Sequence, residues 1–153
     1  MPEPRKLMTS TNTGRGTSDV LPPKHRKDEE MNENLILIML VAIGGAVGAV
    51  LRFSVTLAMP PMEGIAWNTL IVNLVGCALI TLLFYGVDMD TNTRIFLITG
   101  VLGGFTTMSA VSLETMDLYV TGALGPAVAN LVLNVSACVG GGVIGRLIAM
   151  MIT

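Results

Sequence analysis

Charge is what most of this chain lacks. Of its twenty Asp, Glu, Lys and Arg residues, twelve lie in the first 34 positions, leaving eight for the following 119. A domain in water carries roughly a quarter of its residues charged, so residues 35–153 lack the surface chemistry for an aqueous environment. Histidine is almost missing: the single one, His25, lies in the charged stretch, which argues against a histidine-based triad. The two cysteines, Cys77 and Cys138, are far apart inside apolar runs, too sparse for a disulfide framework or a zinc site. A net charge of −2 with both signs mixed gives no basic footprint for nucleic acid. Apolar residues, by contrast, make up 52% of the chain, with seventeen glycines and a mean hydropathy of +0.69. This is the composition of an integral membrane protein.

Residues 1–34 mix Pro, Ser, Thr, Gly and charge without apolar periodicity, too little apolar surface to offset the entropy of ordering. They are expected to form a disordered polar tail. The apolar run begins only at Leu35, later than the core of a cleaved signal peptide, so the tail is expected to stay attached. Four hydrophobic stretches follow, at about 35–59, 65–87, 93–118 and 125–152, each near the ~20 residues that cross a hydrocarbon layer as a helix. Pro60-Pro61 close the first, Asp88, Asp90 and Asn92 separate the second and third, and Gly125-Pro126 open the fourth. Four spans put both termini on one side. Lys24, Arg26, Lys27, Arg94 and Arg146 all belong to that side, opposed only by Arg52, so the termini are expected in the cytoplasm.

Polar groups within the spans are costly unless they face protein or a water-filled path. In the first span Gly44, Gly45, Gly48 and Ala49 permit close helix approach. Arg52, four residues beyond Gly48, either snorkels to the interface or meets a partner, water or an anion. In the second, Thr69 and Asn73 stand at i and i+4 on one face; in the fourth, Asn130 and Asn134 repeat that spacing, followed by Cys138, Gly141 and Gly145. These amides either join neighbouring helices or line a track of hydrogen-bond donors. The third span carries GVLGGFTTMSAVSLE, Gly100 to Glu114. Adjacent glycines followed by Thr106, Thr107, Ser109 and Ser112 suit an uninterrupted helix poorly. A break is expected there, releasing backbone groups that are tolerated at membrane depth where they bind ions or line a cavity.

These motifs resemble those of the CrcB/Fluc fluoride channel family, across essentially all of residues 35–153. Gly44-Gly45-x-x-Gly48-Ala49-x-x-Arg52-Phe53 resembles GGxxGAxxR(Y), with Phe for the usual Tyr. Thr69-Leu70-x-Val72-Asn73-x-x-Gly76 resembles TLxVNxxG, with Asn68 for the common preceding Gly. Gly103-Gly104-x-Thr106-Thr107-x-Ser109, with Ser112 and Glu114, resembles GGxTTFSTFSxE. In the fourth span, matching Asn130 and Gly145 sets Asn134 where the family often has Ser. The resemblance implies an all-α antiparallel dimer of four-span subunits in the cell membrane, with the third helix broken at the Gly-Gly-x-Thr-Thr segment. It also implies two narrow pores and a structural sodium ion held by backbone carbonyls of Gly103 and Thr106. Asn73, Thr69, Ser109, Ser112, Asn130 and Asn134 would then serve the anion, with Arg52 near a vestibule.

Met108 and Val111 depart from that pattern. They stand where the family has two pore phenylalanines, whose electropositive ring edges suit a dehydrated anion; a thioether and an isopropyl group present no such edge. The function implied is passive fluoride export by a channel subunit, as a homodimer or as a heterodimer with a second four-span chain that supplies the missing aromatics. Two alternatives from the residues are a non-conducting subunit that only binds sodium and a proton-coupled exporter. The exporter would need a membrane carboxylate, for which Glu114 is the one candidate. An intramembrane enzyme is disfavoured, since no base stands ready to activate a Ser or Cys.

Overall fold

A computed structural model describes residues 24–59 and 65–153. The order is α1 (Lys24–Ala58), α2 (Trp67–Gly86), α3 (Thr91–Arg94), a π-helical stretch Ile95–Leu102, α4 (Gly103–Phe105), α5 (Met108–Val120) and α6 (Leu124–Ile152). Four helical segments are long and apolar enough to cross a membrane: Lys27–Ala58, Trp67–Gly86, Thr91–Val120 and Leu124–Ile152. The described residues contain no strand.

The first helix differs from its sequence expectation. It begins at Lys24 rather than Leu35, so residues 24–34, expected to lack order, are helical. Their run of Lys, Arg, Glu and Met is made of strong helix formers, whose propensity does not depend on burial. The rest of the expected tail, residues 1–23, and the Pro60-Pro61 boundary lie outside the described residues.

Helix ends follow local chemistry. Asp90 caps α3, its Oδ2 accepting from the amides of Asn92 and Thr93 at 3.1 Å each, as a side-chain acceptor does for the free amides of a first turn. Hydrogen bonds from Thr93 hold the Asp90 carboxyl below its ordinary value. At the end of α5, Ala123 N–H donates to Leu118 O and Gly122 N–H to Tyr119 O, with Gly122 at φ +82°. That left-handed position, favourable only without a Cβ, turns the chain into α6.

Burial inverts the pattern of a soluble protein. The buried apolar side chains are Val72, Leu102, Val111, Ala127 and Ala149, and beside them are buried Thr69, Asn73, Thr107, Asn130 and Asn134. Leucine, isoleucine, valine and methionine side chains populate the outer faces of all four spans. Apolar outside and polar inside suits hydrocarbon as solvent.

Packing without a hydrophobic drive requires close backbone approach, and the glycines provide it in two helix pairs. A Cβ on Gly44 would stand 2.7 Å from Phe96 O and one on Gly104 2.6 Å from Gly45 O, so the first span lies directly against the backbone of the third. A Cβ on Gly141 would collide with Leu74 O, and one on Gly145 with Ala78 O, joining α6 to α2 in the same way. The pairs meet where Gly76 of α2 receives the Thr106 methyl group.

Candidate ion pathway

Between α4 and α5 two residues leave the helix. Thr106 has φ −73° and ψ 152°, and Thr107 has φ −151° and ψ 118°, both extended. The adjacent glycines are not the departure: Gly103 is right-handed helical, at φ −64° and ψ −38°. The threonines are stabilised in this shape. Thr106 Oγ1 donates to Leu102 O at 3.1 Å, and Thr107 caps α5 by accepting from Ala110 N–H at 3.2 Å.

The backbone of Thr107 is gripped from both sides by one amide. Its N–H donates to Asn73 Oδ1 at 2.8 Å, and its carbonyl accepts from Asn73 Nδ2 at 3.0 Å. The same Nδ2 donates to Asn134 Oδ1 at 3.1 Å. Asn134 Nδ2 in turn donates to Asn130 O at 3.0 Å, and Asn130 Nδ2 donates to Thr115 Oγ1 at 3.1 Å. Asn73, Asn130 and Asn134 are all essentially fully buried. Three amides from two helices and the interrupted third span thus form one continuous ladder, in which each buried polar group finds the partner its burial demands.

Thr69, one turn before Asn73, does not continue that ladder. Its hydroxyl donates to Glu114 Oε1 at 2.6 Å, while Glu114 Oε2 is buried without a hydrogen-bond partner among the described residues. Both line a cavity of about 290 Å³ with Arg52, Asn68, Phe53 and Thr107. Arg52 is half-buried there. The cavity therefore holds a cation, a carboxyl group, the hydroxyls of Thr56, Thr69 and Thr107 and an amide, and Thr107 belongs both to it and to the ladder.

The other sequence candidates are more scattered. Ser109 is exposed, its hydroxyl 3.0 Å from Thr107 Oγ1, and Ser112 is exposed. Met108 is 53% exposed whereas Val111 is 0% exposed, so neighbours three residues apart face opposite surroundings. Gly103 is exposed and Thr106 half-buried. Sequence reasoning did not assign Thr107, Thr115 or Glu114 to the anion site. Thr107 carried a usable signal, a hydroxyl residue directly before a helical run, which is a capping position. The Thr115 and Glu114 pairings carried none, since they connect positions on different spans.

Fold and site together define a small multi-pass membrane protein whose interior is a hydrogen-bonded polar ladder beside a cavity lined by charged side chains. The chain belongs to the CrcB-like protein family (Camphor Resistance, CrcB), which it matches over residues 39–146. It is 43% identical over 122 residues to the "Fluoride-specific ion channel FluC" of Agrobacterium fabrum, covering 73% of this chain and 98% of that one. A protein of the same name from Methanococcus maripaludis is 38% identical over 116 residues, covering 74% of this chain and 95% of the other. A third, from Chloroflexus aurantiacus, is 37% identical over 121 residues, covering 75% of this chain and 90% of its relative.

Proposed function

We propose that this chain is a subunit of a fluoride-specific channel that lets fluoride leave the cell passively, and that it is not an enzyme. What carries the reading is the buried ladder of Asn73, Thr107, Asn134 and Asn130 meeting the Arg52 and Glu114 cavity, in a chain whose relatives are named for fluoride conduction. Fluoride is small and strongly hydrated, so an apolar path must replace its water with donors that hold it weakly and at several points. The exposed hydroxyls of Ser109 and Ser112 supply such donors, Thr69 and the amides would serve the anion by exchanging the partners they hold in the ladder and at Glu114, and Arg52 attracts the anion to the vestibule.

The working unit in this reading is an antiparallel dimer in the cell membrane, with both termini of each chain on one side. A sodium ion at the interrupted third span would be structural. The donors that would bond Gly103 O and Thr106 O in an unbroken helix are diverted, Thr107 N–H to Asn73 and Ala110 N–H to Thr107 Oγ1. Two carbonyls lacking their i+4 amides are hard oxygen ligands of the kind a small hard cation takes, and the exposure of Gly103 fits a site shared with a second subunit. The ion would supply fixed positive charge near the anion's route; the chain's own residues hold and orient the donors.

A second reading has a specific observation behind it. Met108 is exposed yet presents no aromatic edge, which favours a heterodimer whose partner brings that edge. Fluoride efflux from proteoliposomes containing this chain alone, then with a companion four-span chain, tests both. Rapid efflux by the chain alone supports a homodimeric channel; efflux only with the companion supports the second reading; none in either case refutes conduction.

A further inference from the structure

At the end of the bundle away from the Arg52 cavity, two arginines stand on a pair of rings. Arg94 Cζ lies 5.2 Å from the centroid of Phe84, and Arg146 Cζ lies 4.2 Å from that of Tyr85. The rings meet edge to face, 4.9 Å between centroids at 75°. Phe84 and Tyr85 fall in the last turn of α2, which ends at Gly86, and Arg94 closes the first turn of the third span. A Cβ on Gly86 would stand 3.1 Å from Ala149 Cβ and from Ile152 Cδ1, which sets the last turns of α6 at the same level, with Arg146 at most two turns earlier. All four residues therefore lie together at the end of the apolar spans where α2 stops and the third span starts.

A ring face attracts a guanidinium but leaves its N–H donors unsatisfied. At Arg94 Nε is buried within the protein without a hydrogen-bond partner among the described residues, while the residue as a whole is half-buried. The acids of the connection between α2 and α3 do not answer it. Asp90 Oδ2 accepts from the Asn92 and Thr93 amides, and Asp88 is exposed on the connecting segment. The terminal guanidinium nitrogens are the donors left for a ligand at the surface, and a phosphate diester matches their fork geometry. The adjoining rings suit a molecule whose charged group continues into an apolar tail, which a soluble anion lacks.

We propose that Arg94 and Arg146, seated on the Phe84–Tyr85 ring pair, bind the phosphate of an anionic phospholipid at the membrane face where α2 and α6 end. The site is separate from the proposed anion route, so its test does not use fluoride flux. The full chain is reconstituted in phosphatidylcholine vesicles containing phosphatidylglycerol, extracted in mild detergent, and the lipid retained per protein is measured by mass spectrometry. Enrichment of phosphatidylglycerol over phosphatidylcholine is expected for the native chain. Arg94→Gln and Arg146→Gln should each lower it about fivefold, the contribution of one basic residue at a charged membrane surface, and the double variant should bring it to the vesicle ratio. Arg94→Lys, which keeps the charge and loses the fork, should fall between, and it guards against misfolding of the neutral variant. No enrichment on the native chain, or enrichment unchanged in the double variant, overturns the proposal. So does removal of the enrichment by excess glycerol phosphate, which would mark a site for soluble phosphate.

Discussion

Replacing Asn73 with alanine tests the ladder more severely than any other single change. The side chain is 2% exposed and makes three hydrogen bonds, two to the Thr107 backbone and one to Asn134. Alanine strands the Thr107 N–H, its carbonyl and Asn134 Oδ1 together. At about 1 kcal/mol for each unsatisfied buried group, the lower end of the usual range, the loss is about 3 kcal/mol. Hydrogen bonds between membrane helices average nearer 0.6 kcal/mol, because the unfolded chain also finds partners, which brings the expectation to about 2 kcal/mol. Asn73→Ala should therefore lose about 2 to 3 kcal/mol in reversible unfolding in mixed micelles.

Asn130→Ala provides the comparison. Its side chain donates to Thr115, and alanine keeps the backbone carbonyl that accepts from Asn134. It should lose visibly less. In proteoliposomes, fluoride efflux per folded Asn73→Ala protein should fall to background, since the substitution removes both a donor and the clasp on Thr107. Undiminished efflux would return Asn73 to a packing role, and equal stability losses for the two variants would refute the clasp itself.

Exchange of sodium for a large organic cation such as N-methylglucamine should lower the thermal midpoint of the assembled protein; an unchanged midpoint would remove the ion from the interrupted span. Met108→Phe should fold normally at its exposed position and raise efflux if a ring edge is the missing element, whereas Val111→Phe, at a fully buried site, should cost about 1–3 kcal/mol by overpacking. Normal stability of Val111→Phe would contradict the packing described. Gly141→Ala should destabilise by a similar amount, its Cβ meeting Leu74 O, while Gly140→Ala, whose Cβ meets nothing within 4 Å, should be nearly neutral; equal effects would disprove the α2–α6 contact. A short bismaleimide, to which each thiol adds without an oxidant, should join Cys77 to Cys138 within one chain, because Asn73 bonds Asn134 one turn before them and Thr81 Oγ1 lies 3.4 Å from a Cβ on Gly142 one turn after. Failure to form the linked peptide would contradict that register.

The four spans were legible because hydropathy and length are properties of contiguous sequence, and in lipid they act almost alone. The i, i+4 spacing of Asn130 and Asn134 was equally legible, and their side chains do share one ladder. Thr69 and Asn73 have the same spacing and separate fates: one donates to Glu114, the other clasps Thr107. Periodicity assigns residues to a helix face, but the partner depends on which span lies opposite and at what height. The start of α1 failed for a different reason. Charged residues carry no burial signal, yet Lys, Arg and Glu favour a helix on propensity alone.

The third span joins these levels. Gly100 and Gly104 hold it against the first span at backbone contact, so the interruption cannot relax by moving the helix sideways. It opens instead at Thr106 and Thr107, where methyl groups and hydroxyls find defined places: the Thr106 methyl against Gly76, the Thr107 hydroxyl at the start of α5. The glycines thus fix where the span lies, and the threonines fix where it breaks. An alanine at Gly104 and a valine at Thr107 should consequently fail in different ways, the first by separating the spans, the second by leaving packing intact and uncapping α5.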